Sequence, residues 1–187
     1  MNKQPALTAQ TKQNLIDAFW ELYGTKRIEK ITIKEITTKA GYNRGTFYEY
    51  FVDVYDVLEQ IENSLIAELQ EVTPHDVPSD AAIPFELILN MYAEHSKYFS
   101  VLLGEHGNPA FVSKVKNSFK PVIKQKITEL GVQDTFVLDY TLEYALSAMI
   151  GIIGYWFQQE NKPPLKDLIG LIQELTDEGV MKTIQKA

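Results

Sequence analysis

One stretch of the sequence decides the fold: residues 32–51 read TIKEITTKAGYNRGTFYEYF. Thr32 can cap a helix through its hydroxyl, and Glu35 can return a bond to the backbone N–H of the cap, so a short helix is predicted to start here. Gly41 supplies a left-handed turn, and Asn43 is a good N-cap for the helix that follows. Two short helices around a glycine turn are the pattern of a helix-turn-helix.

Apolar residues at helical spacing extend outward from this stretch through nearly the whole chain. The helix that starts at Arg44 carries an apolar face of Phe47, Tyr50 and Phe51, which argues against a plain loop. The predicted helices span about 8–24, 32–39, 44–51 and 54–69, and then about 84–103, 109–130, 135–159 and 163–178. No stretch alternates apolar and polar residues for long, so the predicted fold class is all-α.

Prolines at positions 74, 78 and 84 indicate a linker. The linker divides the chain into a helix-turn-helix domain over residues 8–68 and a helical domain over residues 80–187. Charge is divided at an earlier point, after residue 50. Residues 1–50 hold eight Lys or Arg and five Asp or Glu, a net +3, whereas residues 51–187 hold ten and twenty, a net −10. A basic end on an acidic body suggests that this end meets a polyanion.

The sequence carries no marks of export or of enzyme chemistry. The N-terminal residues lack an apolar segment, and the longest apolar run, 145–157, is shorter than the roughly 18 residues of a membrane span, so we expect a core helix there and a cytoplasmic protein. There is no cysteine, nucleophile elbow, P-loop or zinc motif. His75, His95 and His106 have no partner at metal-ligand spacing, so neither a metal nor a cofactor is expected.

The polar residues of the third predicted helix suit DNA better than an ordinary solvated surface. Arg44 offers a forked donor to guanine, Thr46 a hydroxyl or methyl to base edges, and Tyr48 a phenol to phosphate. Gly45 lets the backbone approach a duplex closely. The alternative, for each of these residues taken singly, is an ordinary polar side chain on the solvent-exposed face of a helical hairpin.

The region from Thr11 to Leu58 resembles the DNA-binding domain of the tetracycline-repressor (TetR) family of transcriptional regulators. The resemblance is carried by Ala40-Gly41 and, above all, by Arg44-Gly45-Thr46-Phe47-Tyr48 followed by Tyr50-Phe51. It implies that DNA is contacted by Thr32, Lys34, Tyr42, Asn43, Arg44, Gly45, Thr46 and Tyr48. One departure is Val54, where the family usually has a lysine.

The resemblance also implies that the C-terminal helices hold a small-molecule pocket and that the last two pair with a second subunit. The candidate pocket residues are Tyr92, His95, Phe99, Phe119, Tyr140, Tyr144, Met149 and Trp156, although core packing is the alternative for each of them. The candidate dimer interface is Leu146, Ile150, Gly151, Ile153, Gly154, Leu168, Leu171, Ile172 and Leu175. Packing within one subunit is the alternative for this set.

The hypothesis is a homodimeric repressor that binds a palindromic operator and is released by an effector. One alternative is a DNA-binding regulator whose C-terminal domain docks a protein instead of a small molecule. An enzyme on a helical scaffold is disfavoured because the catalytic constellations are missing.

Overall fold

The structure is a computed structural model that describes residues 5–71, 90–91, 94–104 and 107–181. Within these residues it contains α-helices and no strand, as predicted. The helices are α1 (Pro5–Tyr23), α2 (Ile33–Ala40), α3 (Arg44–Tyr48), α4 (Val54–Gln70), α5 (Ser96–Leu102), α6 (Pro109–Glu129), α7 (Phe136–Gln158) and α8 (Leu165–Leu175). A 3₁₀ turn covers Ile28–Lys30, and α8 continues into a π-helical segment, Thr176–Met181.

Several predicted boundaries differ from the observed ones. The first helix starts at Pro5, before the predicted residue 8, and the segment 25–30 contains a 3₁₀ turn. The third helix ends at Tyr48, short of the predicted residue 51, because the backbone N–H groups of Glu49 and Tyr50 tighten onto carbonyls three residues back. The fifth predicted helix is observed only over its last turns, and most of residues 84–95 lie outside the described part of the chain.

The described chain divides into two compact units, one ending at Leu65 and the other beginning at Ile66. Helix α4 therefore contributes to both of them. The first unit is built on α1, which packs on α2, and on α2, which packs on α3. Its core is aromatic: the rings of Phe19 and Tyr23 stack at 5.5 Å, and those of Phe47 and Phe51 lie 5.4 Å apart. Trp20 is buried beside them.

The second unit is organised around α7, which packs along α6 and against α5. Gly154 permits one close approach, since a Cβ there would lie 3.0 Å from the backbone oxygen of Leu103. Lysines of α6 pair with acids on and before α7: Lys124 Nζ lies 3.0 Å from Asp139 and 2.7 Å from Asp134. Lys116 also pairs with Glu143. These pairs connect α6 with α7 and with the turn that precedes it.

Helix α7 is long and apolar enough to cross a membrane if only its length and composition are considered. The core helix of a soluble protein satisfies the same two conditions, so the feature is weak evidence of a span. Within the second unit, α7 buries a full stripe, which includes Leu138, Leu142, Met149 and Ile153. This burial agrees with the core helix expected from the sequence.

Candidate nucleic-acid interface

The first turn of α2 is held by a reciprocal cap. Thr32 Oγ1 accepts the backbone N–H of Glu35 at 3.3 Å, and Glu35 Oε2 accepts the backbone N–H of Thr32 at 3.0 Å. The Thr32 hydroxyl also donates to Glu35 at 2.9 Å. The predicted capping box is thus confirmed, and it leaves the Thr32 proton directed at Glu35.

Lys26 strengthens this cap from outside the helix. Its ammonium donates to Glu35 Oε1 at 2.7 Å. That bond, followed by the two from Thr32, lowers the pKa of Glu35 to about 2. Lys26 thereby ties the segment after α1 to the start of α2.

The turn between α2 and α3 follows the predicted chemistry. Gly41 has a φ of 76°, in the left-handed region, and the backbone N–H of Tyr42 bonds to the carbonyl of Thr37 at 2.9 Å. Asn43 Oδ1 then accepts the backbone N–H of Thr46 at 2.9 Å and caps α3. A Cβ at Gly45 would lie 3.1 Å from that same oxygen, so this glycine leaves room for the cap.

Helix α3 separates an apolar inner face from a polar outer face. Phe47 is fully buried, whereas Arg44 and Gly45 are exposed. Tyr48 is 59% exposed, and its ring meets Phe47 edge to face at 5.8 Å. Thr46 is half-buried. The outer face can therefore present a guanidinium and a phenol to a duplex without opening the core.

Local ion pairs occupy some of the positive charges around the turn. Lys39 Nζ lies 2.6 Å from Glu21, and Lys26 is held by Glu35. Lys34 and Arg44 are exposed and form no ion pair with any residue that the structure describes. Lys34 and Arg44 are therefore available to a polyanion.

One polar contact of this surface was not predicted from the sequence. Asn14 Nδ2 on α1 donates to the hydroxyl of Tyr42 at 2.9 Å, and Gln10 Nε2 donates to Asn14 Oδ1 at 2.8 Å. Gln10 and Asn14 are four residues apart, and side chains at this spacing are neighbours on a helix, so this bond could be predicted from the sequence. No local pattern connects Asn14 with Tyr42, because 28 positions separate them.

The candidate pocket residues do not gather in one place. A cavity of about 430 Å³ between α7, α8 and the π-helical segment is lined by Tyr144 and Met149 from that set, together with Ile152, Ile172 and Leu175. Phe99 and Phe119 are buried in the core, and Tyr140 is 75% exposed. Tyr92 lies outside the described residues.

The two remaining pocket candidates have local partners. His95 Nε2 lies 2.6 Å from Glu68 at the end of α4. Trp156 Nε1 donates to the carbonyl of Pro163 at 2.7 Å, and Lys162 Nζ lies 4.4 Å from the centre of its ring. Trp156 thus closes the connection between α7 and α8.

The candidate dimer residues fall into two groups. Five are buried inside the second unit and offer little surface to a partner: Leu146, Ile153, Gly154, Leu168 and Ile172. Gly151, Leu171 and Leu175 are exposed, and Ile150 is half-buried. Helix α7 also carries an exposed aromatic surface that was not predicted from the sequence: Phe136 and Tyr140 are 75% exposed, Tyr144 is 69% exposed and Tyr155 is 65% exposed.

No group of three or more His, Asp or Glu side chains that could hold a metal ion occurs among the residues for which the structure gives positions. Charged side chains of the second unit are instead engaged in pairs between α6 and α7.

Comparisons with known proteins agree with this architecture. Residues 82–178, just over half of the chain, match the family model of the TetR transcriptional regulator C-terminal region. A curated relative, the fatty acid metabolism regulator protein of Bacillus subtilis (strain 168), is 28% identical over 117 residues. That match covers 62% of this chain and spans 58% of the length of the relative.

Two solved structures show the same fold. A TetR transcriptional regulator from Streptococcus agalactiae superposes with a TM-score of 0.65 at 19% identity, over 91% of this chain and 95% of that one. The fatty acid degradation regulator FadR from Bacillus halodurans superposes with a TM-score of 0.63 at 16% identity, over 96% and 98% of the two chains.

Proposed function

Because this chain belongs to the TetR family of transcriptional regulators, we propose that it is a repressor that binds a palindromic operator as a homodimer and leaves it when a small-molecule effector binds. Members of the family bind DNA, are typically dimeric with small-molecule ligands, and are not enzymes. They are soluble cytoplasmic proteins, and we place this chain in the cytoplasm with them.

The observation that carries the DNA-binding proposal is the outer face of α3. Asn43 caps the N-terminus of α3, Phe47 is buried, and Arg44 and Tyr48 project outward. A guanidinium can form two bonds to guanine in the major groove, and a phenol can donate to a phosphate. Lys34 at the start of α2 supplies a second cation, which can pair with a phosphate of the DNA backbone.

The remaining predicted contacts support this face in different ways. Asn43 and Thr32 act chiefly as caps in the free protein, since their side chains bond to Thr46 and Glu35. Gly45 leaves room beside the cap. We propose residues 8–68 as the DNA-binding domain and residues 80–187 as the effector and dimerisation domain.

The dimer surface that we propose is the exposed side of α7 and α8. Gly151, Tyr155, Leu171 and Leu175 have the exposure that a partner would cover, and Tyr144 lies on the rim of the cavity. A helix-turn-helix dimer reads two half-sites whose centres lie about 34–36 Å apart. Pairing through α7 and α8 would fix that distance.

For effector release we propose that a ligand in the second unit shifts α4 and changes the spacing of the two α3 helices. Two observations support a role for α4: its residues belong to both compact units, and Glu68 near its end pairs with His95 just before α5. The cavity lined by Met149, Ile152 and Leu175 is mostly apolar, which suits an apolar ligand. Given the name of the Bacillus subtilis relative, fatty acids are the first compounds to titrate.

The first experiment is selection of bound fragments from random duplex DNA, followed by anisotropy titration of the enriched sequence at several salt concentrations. A palindrome with steep salt dependence supports the proposal. A folded, dimeric protein that enriches no sequence would contradict it. An effector that releases DNA while the distance between the two α3 helices stays constant would contradict only the release mechanism.

A second candidate keeps DNA binding but replaces the small molecule with a protein partner. Two exposed residues at the start of α7 favour a protein partner. Phe136 and Tyr140 are each 75% exposed, and their ring centres lie 6.5 Å apart, so the two rings form an apolar patch. Changing both residues to Ser separates the candidates. A dimer that keeps its effector response needs no partner there, whereas loss of regulation with an intact dimer favours docking.

A further inference from the structure

A neutral hydrogen-bond relay runs from the outer side of α1 to the turn that precedes α3. Gln10 donates to Asn14 Oδ1 at 2.8 Å, and Asn14 Nδ2 donates to the Tyr42 hydroxyl oxygen at 2.9 Å. Gln10 is exposed, and the other two side chains are half-buried. None of the three is charged, and the relay connects α1 with a turn 28 positions further along the chain.

The direction of the relay determines where the phenol proton points. A hydroxyl has one proton to donate, and the phenol oxygen can accept other donors. Because Asn14 donates to that oxygen, the proton of Tyr42 cannot point toward Asn14 and is directed elsewhere. Gln10 favours this polarity, since its N–H group donates to the Asn14 carbonyl oxygen and leaves the Asn14 amide nitrogen facing Tyr42.

We propose that Asn14 is a positioning residue for DNA binding, which holds the Tyr42 hydroxyl so that its proton is donated to a phosphate of the duplex. This inference rests on the proposed function, because it assumes that the turn before α3 faces DNA. Asn14 acts through Tyr42 and need not touch DNA itself. Gln10 has a second, weaker role in setting the orientation of the Asn14 amide.

The relay makes a specific electrostatic prediction. Tyr42 donates as a neutral group, so losing its bond releases no counterion, and the slope of affinity against salt stays constant. Because a phosphate is the acceptor, the loss is the same on operator and on random DNA. A lost base contact would lower operator affinity alone, and a lost lysine contact would flatten the salt slope by about one.

The test is a double-mutant cycle on Asn14→Ala and Tyr42→Phe in the full chain, read by anisotropy titration. We expect each single change to weaken binding by about fivefold to tenfold, and Asn14→Ala to add less than about twofold once Tyr42 is Phe. Gln13→Ala is the matched control, since the bond that Gln13 makes within the described residues runs along α1, to Asp17 at 3.2 Å. An equal loss from Asn14→Ala in both backgrounds, or no loss, would overturn the inference.

A second pair of variants tests the polarity of the relay. Gln10→Glu cannot donate to the Asn14 carbonyl, so it should reverse the Asn14 amide and draw the Tyr42 proton away from DNA. Gln13→Glu adds the same charge one turn along α1 without touching the relay. We expect Gln10→Glu to bind more weakly than Gln13→Glu, and the difference to vanish in Tyr42→Phe. Equal affinities would count against the polarity.

Two readouts separate this inference from the proposed function. Arg44→Ala in the same titrations reports on DNA binding alone. If Arg44→Ala lowers the DNA affinity and Asn14→Ala does not, the inference about the relay is wrong and the proposed DNA-binding function stands. The Asn14 side-chain amide resonances of the free protein report on the relay without DNA. If Tyr42→Phe leaves them unshifted, the hydrogen bond is absent and the inference fails, whether or not the protein binds DNA.

Discussion

Arg44 and Tyr48 lie four residues apart on α3, both are exposed, and they differ in what they can recognise. A guanidinium fits the two acceptors of guanine, whereas a phenol suits a phosphate, which is the same in every sequence. On the same helix it is Phe47 that is buried in the core, so either Arg44 or Tyr48 can be changed without disturbing the core. This makes the pair a direct probe of specificity.

We expect Arg44→Ala to cost about 1–3 kcal/mol on the operator and less on random DNA, so that discrimination falls. Tyr48→Ala should weaken binding to both by a similar factor. Titrating each variant against operator and random duplexes measures the two ratios. If Arg44→Ala lowers both affinities equally, the guanidinium contacts the backbone.

Glu35 gives the cap of α2 a pH dependence. Its pKa in the folded protein is lowered to about 2 by bonds from Lys26 and Thr32, below the usual value of 4.5. A lowered pKa means that the cap contributes stability above about pH 4.5 and loses it as the pH falls toward 2. We expect thermal melts of Glu35→Gln to differ most from wild type at neutral pH and to converge with it in acid. Glu29→Gln, an exposed acid in the 3₁₀ turn, is the control. A difference as large at pH 2 as at neutral pH would refute this assignment.

At the level of elements, α3 is a helix of five residues that depends on its cap. So short a helix forms few internal bonds, and the Asn43 side chain satisfies one of its free N–H groups. Cap removal should therefore affect the position of the recognition surface as well as stability.

We expect Asn43→Ala to lower the free energy of unfolding of the first unit by about 1 kcal/mol. The matched control is Asn63→Ala, at an exposed site inside α4, where alanine suits the helix better. Urea melts followed by circular dichroism measure both variants. Equal stability of the two would show that the cap contributes nothing.

Local chemistry made the helix-turn-helix predictable. The capping box, Gly41 and Asn43 each act over three or four residues, so the sequence alone specified their roles. The end of α3 was misplaced because Tyr50 and Phe51 continue the apolar pattern through a turn. Asn14 was missed because its partner is distant in sequence. On α7 and α8, apolar spacing could not distinguish residues that face the subunit core, such as Ile153, from those that face outward.

At the scale of the whole molecule, the exposed side of α7 and α8 should govern assembly. Leu171 is 50% exposed there, and a charge in a dimer interface of apolar residues would be desolvated without a partner. If that charge separates the dimer, each monomer can contact only one operator half-site, since two α3 helices are held together only in the dimer.

We expect Leu171→Glu to shift the protein toward monomer and to weaken operator binding more than tenfold, because the avidity of two linked half-sites is lost. Leu130→Glu is the control, since Leu130 is 54% exposed but follows α6. Sedimentation velocity gives the oligomeric state of each. A dimeric Leu171→Glu would move the interface elsewhere.

The two tryptophans also make the molecule its own optical sensor. The chain has two, Trp20 buried in the first unit and Trp156 half-buried in the second, beside the Lys162 ammonium. Replacing either with Phe leaves one tryptophan among ten tyrosines, and excitation selective for tryptophan then reports on a single unit. Trp20 would follow unfolding of the helix-turn-helix, and Trp156 would follow rearrangement at the α7–α8 connection. Added fatty acid that altered only the second signal would locate its action without any attached dye.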